Sequence, residues 1–324
     1  MSNVILTPSI LGGGYDNHIP PNENILINSI WNNKSYIINQ RNQNSYGSTE
    51  SNSAQRSIDF WKLRNKNTLT ILDYSIQLTA NDQLNNPGFI HPLIGFNIIP
   101  GDVYTASCLY KPLSTTIDNP YVIVGLWNDN WIVNTKNFND TEEVQLLTHT
   151  FTMGENISNN IYFSLWNPGS SVEYYGAKLE RGPVSTLAYK DNRVWKLNQQ
   201  QDYLQELLKC KQYLINIKGP KKSNILSVGQ AHTTEEANFA IPLTVPFKYK
   251  TPIVISDTYN LYCTGIFDIG FKSIQPVSII RIYSITETVL HVDCVLNNSN
   301  MKFIAGNCYS FYSSYTDLLI SCEI

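Results

Sequence analysis

The residues best suited to binding chemistry form an aromatic cluster at positions 127–131, which reads Trp-Asn-Asp-Asn-Trp. The Asn-Asp-Asn centre favours a tight turn, which would bring the two indole rings to neighbouring strand ends. A sugar ring stacks on an apolar aromatic face, and its hydroxyls need amide or carboxylate partners. The cluster therefore predicts a carbohydrate site at Trp127, Asp129, Asn130 and Trp131. The same pattern also fits a hairpin whose indole rings cap a core, and this alternative stays open.

A second group of polar aromatic residues near the C-terminal end could serve recognition. Tyr, Ser and Asn are concentrated at 259–262 and 309–315. Adaptable binding surfaces use this combination, in which large rigid rings are joined by small hydrogen-bonding groups. An inter-subunit surface or plain strand packing explains the composition equally well. The predicted receptor-binding residues are Tyr259, Asn260, Tyr262, Tyr312 and Tyr315.

The side-chain pattern gives little support to catalysis or to metal binding. A glycosidase needs two convergent carboxylates, whereas the acidic residues here are scattered. No nucleophile elbow, phosphate-binding loop or dinucleotide fingerprint is present in the sequence. His291 and Cys294 lie three apart on a predicted strand, so they point to opposite faces and cannot share an ion without a bulge. We expect a protein that is not an enzyme and that needs no metal and no cofactor.

The composition indicates a β-rich protein of two ordinary domains. Of its 324 residues 42% are hydrophobic and only 15% are charged, and the net charge is −3. Polarity is carried by Asn, Ser, Thr, Gln and Tyr, which favour strands and turns over helices. The weak negative charge argues against nucleic acid as a partner, and no apolar run is long enough for membrane insertion.

The amino terminus and the cysteines indicate where the protein is made. Residues 1–21 lack a positive region followed by an apolar core, so we expect synthesis in a bacterial cytoplasm without a signal peptide. The run of three glycines at 12–14 and the two prolines at 20–21 predict a flexible arm. The six cysteines are far apart and contain no C-x-x-C pair, which predicts buried free thiols.

Short alternating segments separated by turn residues predict two antiparallel β-domains. The first, at 22–190, reads as a β-sandwich. The second, at 220–324, reads as a small β-sandwich or jelly-roll, and its alternation is clearest in VLHVDCVL at 289–296. The predicted strands are 68–74, 76–80, 102–110, 121–127, 144–153, 161–166 and 172–179 in the first domain, and 277–285, 289–296, 303–312 and 317–324 in the second.

One short helix is predicted within residues 198–217, in a linker at 191–219. Leucines recur there at spacings of three, four and seven and form one apolar stripe, and Gly219-Pro220 would end the helix. A helix with so narrow a stripe is unstable alone in water, so it must pack on its own domain or on copies of itself. The residues predicted to form the seam are Leu204, Leu207, Leu208 and Leu214.

Several motifs resemble segments of phage tail-fibre and receptor-binding proteins. The segment 24–48, with Asn39-Gln40-Arg41, and the later Asp59-Phe60-Trp61 resemble the start of a carbohydrate-module-like sandwich in that family. Asn42 stands where the family motif has glycine. Lys178-Leu179-Glu180 with Gly182 resembles the end of the same module in that family. The T-P-F motif that usually follows is replaced here by residues 185–189. The helix at QELLKCKQYL and the strand pair at 238–255 resemble the segments that follow in those fibres.

The resemblance implies a homotrimer on a phage tail or on a phage-tail-like bacteriocin. The N-terminal region would contact tail or baseplate proteins, the helix would gather three chains, and the C-terminal head would present the recognition face. The receptor would be a bacterial cell-surface glycan or a surface-layer protein, held by multivalent non-covalent contacts. A surface-polysaccharide depolymerase and a purely structural tail or baseplate component remain as alternatives.

Overall fold

The protein folds into two β-rich units in a computed structural model. The first unit contains the described parts of 1–36, 44–55 and 62–201, and the second those of 37–43, 56–61 and 202–324. The residues that the structure describes are 22–48, 54–80, 88–93, 96–115, 121–128, 130–137, 143–157, 161–198, 202–212, 214–217, 224–243, 253–254, 261–265, 275–286, 289–297, 302–303, 305, 308–313 and 318–321. The predicted flexible arm at 1–21 lies outside them.

Two six-stranded antiparallel sheets dominate the first unit, and a two-stranded hairpin follows them. We call them sheet A, with the order β1-β4-β5-β12-β7-β10, and sheet B, with the order β2-β3-β6-β11-β8-β9; the hairpin is β13-β14. The strands are β1 Ser45–Gly47, β2 Ala54–Arg56, β3 Lys62–Arg64, β4 Asn67–Ile71, β5 Ile76–Ala80, β6 Gly88–Pro92, β7 Val103–Thr115, β8 Tyr121–Asn128, β9 Asn130–Asn137, β10 Gln145–Thr152, β11 Ile161–Trp166, β12 Ser170–Arg181, β13 Ala188–Asp191 and β14 Val194–Leu197.

The core of the first unit follows from alternation along its strands. On β8 the alternate side chains of Val122, Val124 and Leu126 point inward and have no exposed surface. On β7 the corresponding inward set contains Cys108 and Tyr110. The predicted strands of this domain are confirmed, although β7 and β12 extend beyond the predicted ends.

The segment at 24–31 is tied to β12 by hydrogen bonds of its first asparagine. The Asn24 side-chain amide donates to Ala177 O at 3.1 Å, while Asn24 Oδ1 accepts from Leu179 N at 3.2 Å. Asn28 adopts a left-handed φ of 52°, and its carbonyl accepts from the buried Trp31 indole at 2.9 Å. The segment therefore extends the sheet beside β12, which explains why asparagine recurs in this motif.

The Asn-Gln-Arg and Asp-Phe-Trp motifs meet in the second unit. The fully buried Asp59 carboxylate accepts from Gln40 N at 2.9 Å and from Gln40 Nε2 at 2.7 Å, and Arg41 lies 3.7 Å away. Gln40 Nε2 also donates to Leu214 O at 2.8 Å. Asn42 has a φ of 55°, a conformation that glycine and asparagine tolerate best. An asparagine at position 42 therefore fits this left-handed backbone.

A closed six-stranded barrel, with the strand order β16-β17-β21-β20-β19-β22, forms the body of the second unit. A three-stranded sheet, β15-β23-β18, belongs to the same unit. The predicted mainly-β class, with antiparallel sheets and one short helix, is confirmed. Because the six-stranded sheet of the second unit closes on itself, the barrel has no open edge strands. The strands are β15 Leu214–Ile217, β16 Asn224–Ala231, β17 Glu236–Pro242, β18 Ile253–Val254, β19 Leu261–Gly265, β20 Gln275–Thr286, β21 Val289–Leu296, β22 Cys308–Ser313 and β23 Leu318–Ser321.

The helix α1 spans Tyr203–Lys211, nine residues, and is shorter than predicted. It begins after Asp202, whose carboxylate accepts from Leu204 N at 3.0 Å. The prediction that Leu214 belongs to a helical seam is wrong, because Leu214 is buried in β15 opposite Ser321. Pairing with the distant strand β23 takes the place of a further helical turn at this position. Within the described residues no helix has the length and apolarity needed to cross a membrane.

Three of the six cysteines, Cys108, Cys210 and Cys294, are buried free thiols, as the sequence predicted, whereas Cys308 is half-buried. The side chain of Cys263 and all of Cys322 lie outside the described residues. Burial raises the pKa of the Cys108 thiol far above its usual value, since the thiolate would lose its hydration. These thiols therefore act as small apolar side chains.

Candidate functional site

The outer face of sheet B carries the aromatic residue that the sequence singled out. Because 122, 124 and 126 point into the core, alternation directs Trp127 to the opposite face, where it is half-buried. Tyr121 and Ile123 of the same strand lie on that outer face and are half-buried too. Trp127 is thus outside the sandwich core, a position that favours the binding alternative over the capping one.

The strand register aligns aromatic residues of three neighbouring strands in one row. Trp127 lies opposite Tyr162 of β11 on one side and opposite Trp131 of β9 on the other. Residues directly opposite each other in antiparallel strands have Cβ atoms about 4.5–5.5 Å apart. Asn128 and Asn130 are likewise paired, so β8 and β9 form the predicted hairpin. Asp129 and the side chains of Asn130 and Trp131 lie outside the described residues.

The neighbouring rows of the outer face contain small residues beside a second indole. Gly125 lies opposite Ser164, and both are buried. Trp166 lies opposite Gly88, and a Cβ at Gly88 would stand 2.6 Å from its indole nitrogen. A side chain at position 88 would therefore clash with this indole, so glycine is needed there. The row of Trp127 and Tyr162 is partly exposed, whereas Gly125, Ser164 and Trp166 beside it are buried.

A partly exposed aromatic row offers a surface on which a sugar ring can stack. The indole of Trp127 and the phenol of Tyr162 offer apolar surface, and the tyrosine hydroxyl offers a hydrogen bond. Rigid rings lose little conformational entropy on binding, which makes them efficient contacts. The row therefore suits reversible binding of a glycan through stacking.

Two of the predicted receptor-binding tyrosines, Tyr262 and Tyr312, lie on barrel strands of the second unit. Tyr262 of β19 lies opposite Tyr312 of β22, so the register brings these two positions together. Their side chains, and all of Tyr259, Asn260 and Tyr315, lie outside the described residues. The recognition role of this group stays a prediction.

The polar residues of β21 form contacts within the barrel. Cys294 packs in the barrel core, whereas His291 Nδ1 lies 3.2 Å from Asn238 Oδ1, whose amide donates to Asp293 at 2.9 Å. His291 and Cys294 therefore face opposite sides, as the strand pattern predicted. Among the described residues no group of three potential metal ligands converges.

Sequence reasoning missed the β13-β14 hairpin and the polar network that anchors it. Thr186 is buried against Glu180, with its N donating to Oε1 at 2.7 Å, and Lys178 Nζ donates to Thr186 Oγ1 at 2.7 Å. Lys178 and Glu180 flank the core residue Leu179, which explains the Lys-Leu-Glu motif. The signal in the sequence was a two-residue turn, Asn192-Arg193, between two alternating four-residue segments. In the structure both turn residues have positive φ, as such hairpin turns require.

Comparison with known proteins yields distant structural similarity to carbohydrate-binding modules. No protein-family model and no curated protein matches the chain. A CBM4 structure is 14% identical over 45% of this chain and 94% of its own, with a TM-score of 0.30. The CBM22-1 xylan-binding domain of Paenibacillus barcinonensis Xyn10C is 12% identical over 52% and 99%, with a TM-score of 0.29.

A longer structural match involves two modules. The CBM22-1-CBM22-2 tandem of the same Xyn10C is 10% identical over 85% of this chain and 100% of its own, with a TM-score of 0.28. Superpositions this loose place no ligand on this chain. Its fold class follows from its own strand pairing.

Proposed function

We propose that the protein is a receptor-binding protein of a phage tail or of a phage-tail-like bacteriocin, and that it attaches the particle to a bacterial cell-surface glycan. The observation that carries glycan binding is the half-exposed row of Trp127 and Tyr162, extended by register to Trp131, on the outer face of sheet B. The tail context is supported by the motifs at 24–61 and 178–182, which resemble that family.

The proposed mechanism is adhesion without turnover. Each aromatic row would hold a glycan weakly, and several copies on one particle would raise the overall affinity by about 10²–10⁴. The C-terminal barrel, with Tyr262 opposite Tyr312, would add a second recognition surface to each chain.

The copies would come from a homotrimer built on α1. Leu204 and Leu208 are one turn apart on the helix, and 68% and 53% of their surfaces are exposed. Exposed leucines at this spacing support contact with further copies of the chain. In a trimer, the leucines of each copy would be buried against those of its neighbours. Leu207 is half-buried, and Leu214 has no part in the proposed seam.

Glycan binding can be tested on an array of purified bacterial surface polysaccharides. We expect wild-type protein to bind at least one of them, and Trp127→Ala to lose about tenfold in affinity or more, because truncating a central aromatic contact costs upwards of about 1.4 kcal/mol. Tyr74→Ala is the matched control, since it removes a 73% exposed ring between β4 and β5. Equal loss in both variants would contradict a site on sheet B.

The same assay separates the alternatives. Size analysis of the polysaccharide after incubation should show unchanged chain length; shortened chains would establish a depolymerase. Failure to bind any polysaccharide, together with failure to compete with particle adsorption to host cells, would establish a structural tail component and overturn the proposal.

A further inference from the structure

A pocket of about 480 Å³ lies in the first unit, on the outer side of sheet A, beside the β13-β14 hairpin. It is thus on a different sheet from the Trp127 row. Volumes of 300–1,000 Å³ are usual for small-molecule sites. Three aromatic residues line it together with polar and aliphatic groups; those used below are Tyr175, Tyr189, Trp195, Asn32, Lys196 and Leu109.

The hairpin wall of the pocket is held firmly. Thr186, just before β13, is anchored in the buried network of Lys178 and Glu180. Ala188 and Leu187 pack with Leu109 in a small apolar cluster, to which Trp195 also contributes. A wall fixed by burial and hydrogen bonds keeps the pocket formed without a ligand, and preformed pockets bind with less entropic cost.

A bulge in β12 creates the floor. The pairing of β12 with β7 shifts between Tyr174 and Gly176. A Cβ at Gly176 would lie 3.2 Å from Ile30 Cδ1 and 3.3 Å from Leu197 Cδ2, so glycine permits this close approach. Tyr175, on the bulge, contributes its ring to the pocket lining.

The pocket walls combine aromatic surface with polar groups that can form further hydrogen bonds to a ligand. Tyr175 Oη donates to Glu173 Oε2 at 2.9 Å and can still accept. Burial, aided by Glu173, raises the pKa of the Tyr175 hydroxyl, so it stays a protonated donor. Within the described part of the chain, the Asn32 amide and the Trp195 indole N–H have no hydrogen-bond partner. A pyranose ring needs such a combination of flat apolar surface and vacant donors and acceptors.

The one charged residue among the described lining residues of the pocket is neutralised. Lys196 forms an ion pair with Asp191, and the ammonium of Lys190, outside the lining, lies 5.0 Å from the centroid of the Trp195 ring. A pocket without net charge favours a neutral ligand over a phosphate or carboxylate group.

We infer that this pocket is a second carbohydrate site, which takes a single neutral sugar ring, such as a glycan terminus or side branch. The inference deepens the proposed function and rests on it for the ligand class. Two sites on opposite sheets of one unit would let a single chain hold two branches or two strands of a surface glycan.

Fluorine NMR of the full chain labelled with 5-fluorotryptophan can read both sites separately. The sequence has six tryptophans, and Trp195→Phe and Trp127→Phe each identify one resonance. The fully buried Trp31 and the nearly fully buried Trp61 serve as internal references. The probes are neutral methyl glycosides of glucose, galactose, mannose, N-acetylglucosamine and rhamnose, with glycerol phosphate as the anionic comparison.

We expect at least one neutral glycoside to shift the Trp195 resonance saturably while the Trp31 and Trp61 resonances stay fixed. Tyr175→Ala should abolish this shift and preserve any response at Trp127, because it strips the floor of the pocket alone. Val194→Ser is the matched control, since Val194 is 61% exposed and adjacent to Trp195 on β14; it should leave the shift intact.

Other outcomes separate this inference from the proposed function. A shift at Trp127 alone would overturn the second site and leave sheet B as the glycan surface. A shift at Trp195 with glycerol phosphate but with no neutral glycoside would overturn the ligand class. Absence of any shift at either residue, combined with failure on the polysaccharide array, would overturn both proposals.

Discussion

His91 predicts a marked acid sensitivity of the first unit. The imidazole is fully buried on β6, and its Nε2 accepts from Ile27 N at 3.1 Å, so the ring is neutral with its proton on Nδ1. Its edge meets the Phe96 ring at 5.7 Å between centroids. Burial lowers the pKa of His91 from 6.5 to about 3, although backbone hydrogen bonds partly oppose the shift.

The sign and size of the effect follow from proton linkage. Between pH 6.5 and about 3 the unfolded chain binds a proton at His91 that the folded chain excludes. The stability that His91 contributes is therefore complete above pH 6.5 and is lost as the pH falls, by about 1.4 kcal/mol per unit. From pH 7.5 to pH 4.5 the loss amounts to about 3 kcal/mol, which is large beside a typical stability of about 5–15 kcal/mol.

Urea unfolding followed by tryptophan fluorescence measures this loss, since every tryptophan except Trp61 belongs to the first unit. The comparison is between wild type and His91→Gln at both pH values. Carboxylates titrate in both proteins, so only the difference between their pH slopes reports on His91. We expect the variant to lose about 3 kcal/mol less than wild type on acidification.

The control for this experiment is His149→Gln. Burial also lowers the pKa of His149, but this side chain is only half-buried, so its removal should change the slope far less. Parallel pH dependence in wild type and His91→Gln would refute the argument, because it would mean that the folded protein accommodates the proton at His91.

Two further predictions concern the anchor of the hairpin and the proposed trimer. Thr186→Val should destabilise the first unit by about 2–4 kcal/mol in the same unfolding assay, since it removes the buried hydroxyl that donates to Glu180 Oε2 and accepts from Lys178 Nζ. Thr150→Val, which removes an exposed hydroxyl, should cost less than about 1 kcal/mol. Sedimentation of wild type should give three times 36.8 kDa, and Leu204→Asp with Leu208→Asp should give a monomer. Wild-type monomer at micromolar concentration would contradict the trimer.

The helix illustrates how far local pattern reaches. Leucine spacing located α1 correctly, and the helix begins after Asp202, a residue type that favours the N-cap position. The same spacing wrongly included Leu214, because its periodicity cannot reveal that Ser321 lies opposite it in a strand pair. Burial in that pair outweighs the weak intrinsic preference of a few residues for helix.

The candidate sites show a similar limit. The Trp-Asn-Asp-Asn-Trp cluster could be recognised as a hairpin from its turn residues, but only register brings Trp127 beside Tyr162. The pocket by the β13-β14 hairpin combines Asn32 with Trp195, residues that are far apart in the chain. No local pattern indicates that such residues meet.

The sequence by itself determined most of the long alternating strands and which side of them is apolar, because these depend on neighbours two to four residues away. It did not reveal the short strands β1, β2 and β3 or the β13-β14 hairpin. Only the tertiary structure decided which strands pair, that the second sheet closes into a barrel, and that Trp127 points away from the core. Those outcomes depend on burial and hydrogen bonding between residues up to more than a hundred positions apart, and these energies exist only after the chain has folded.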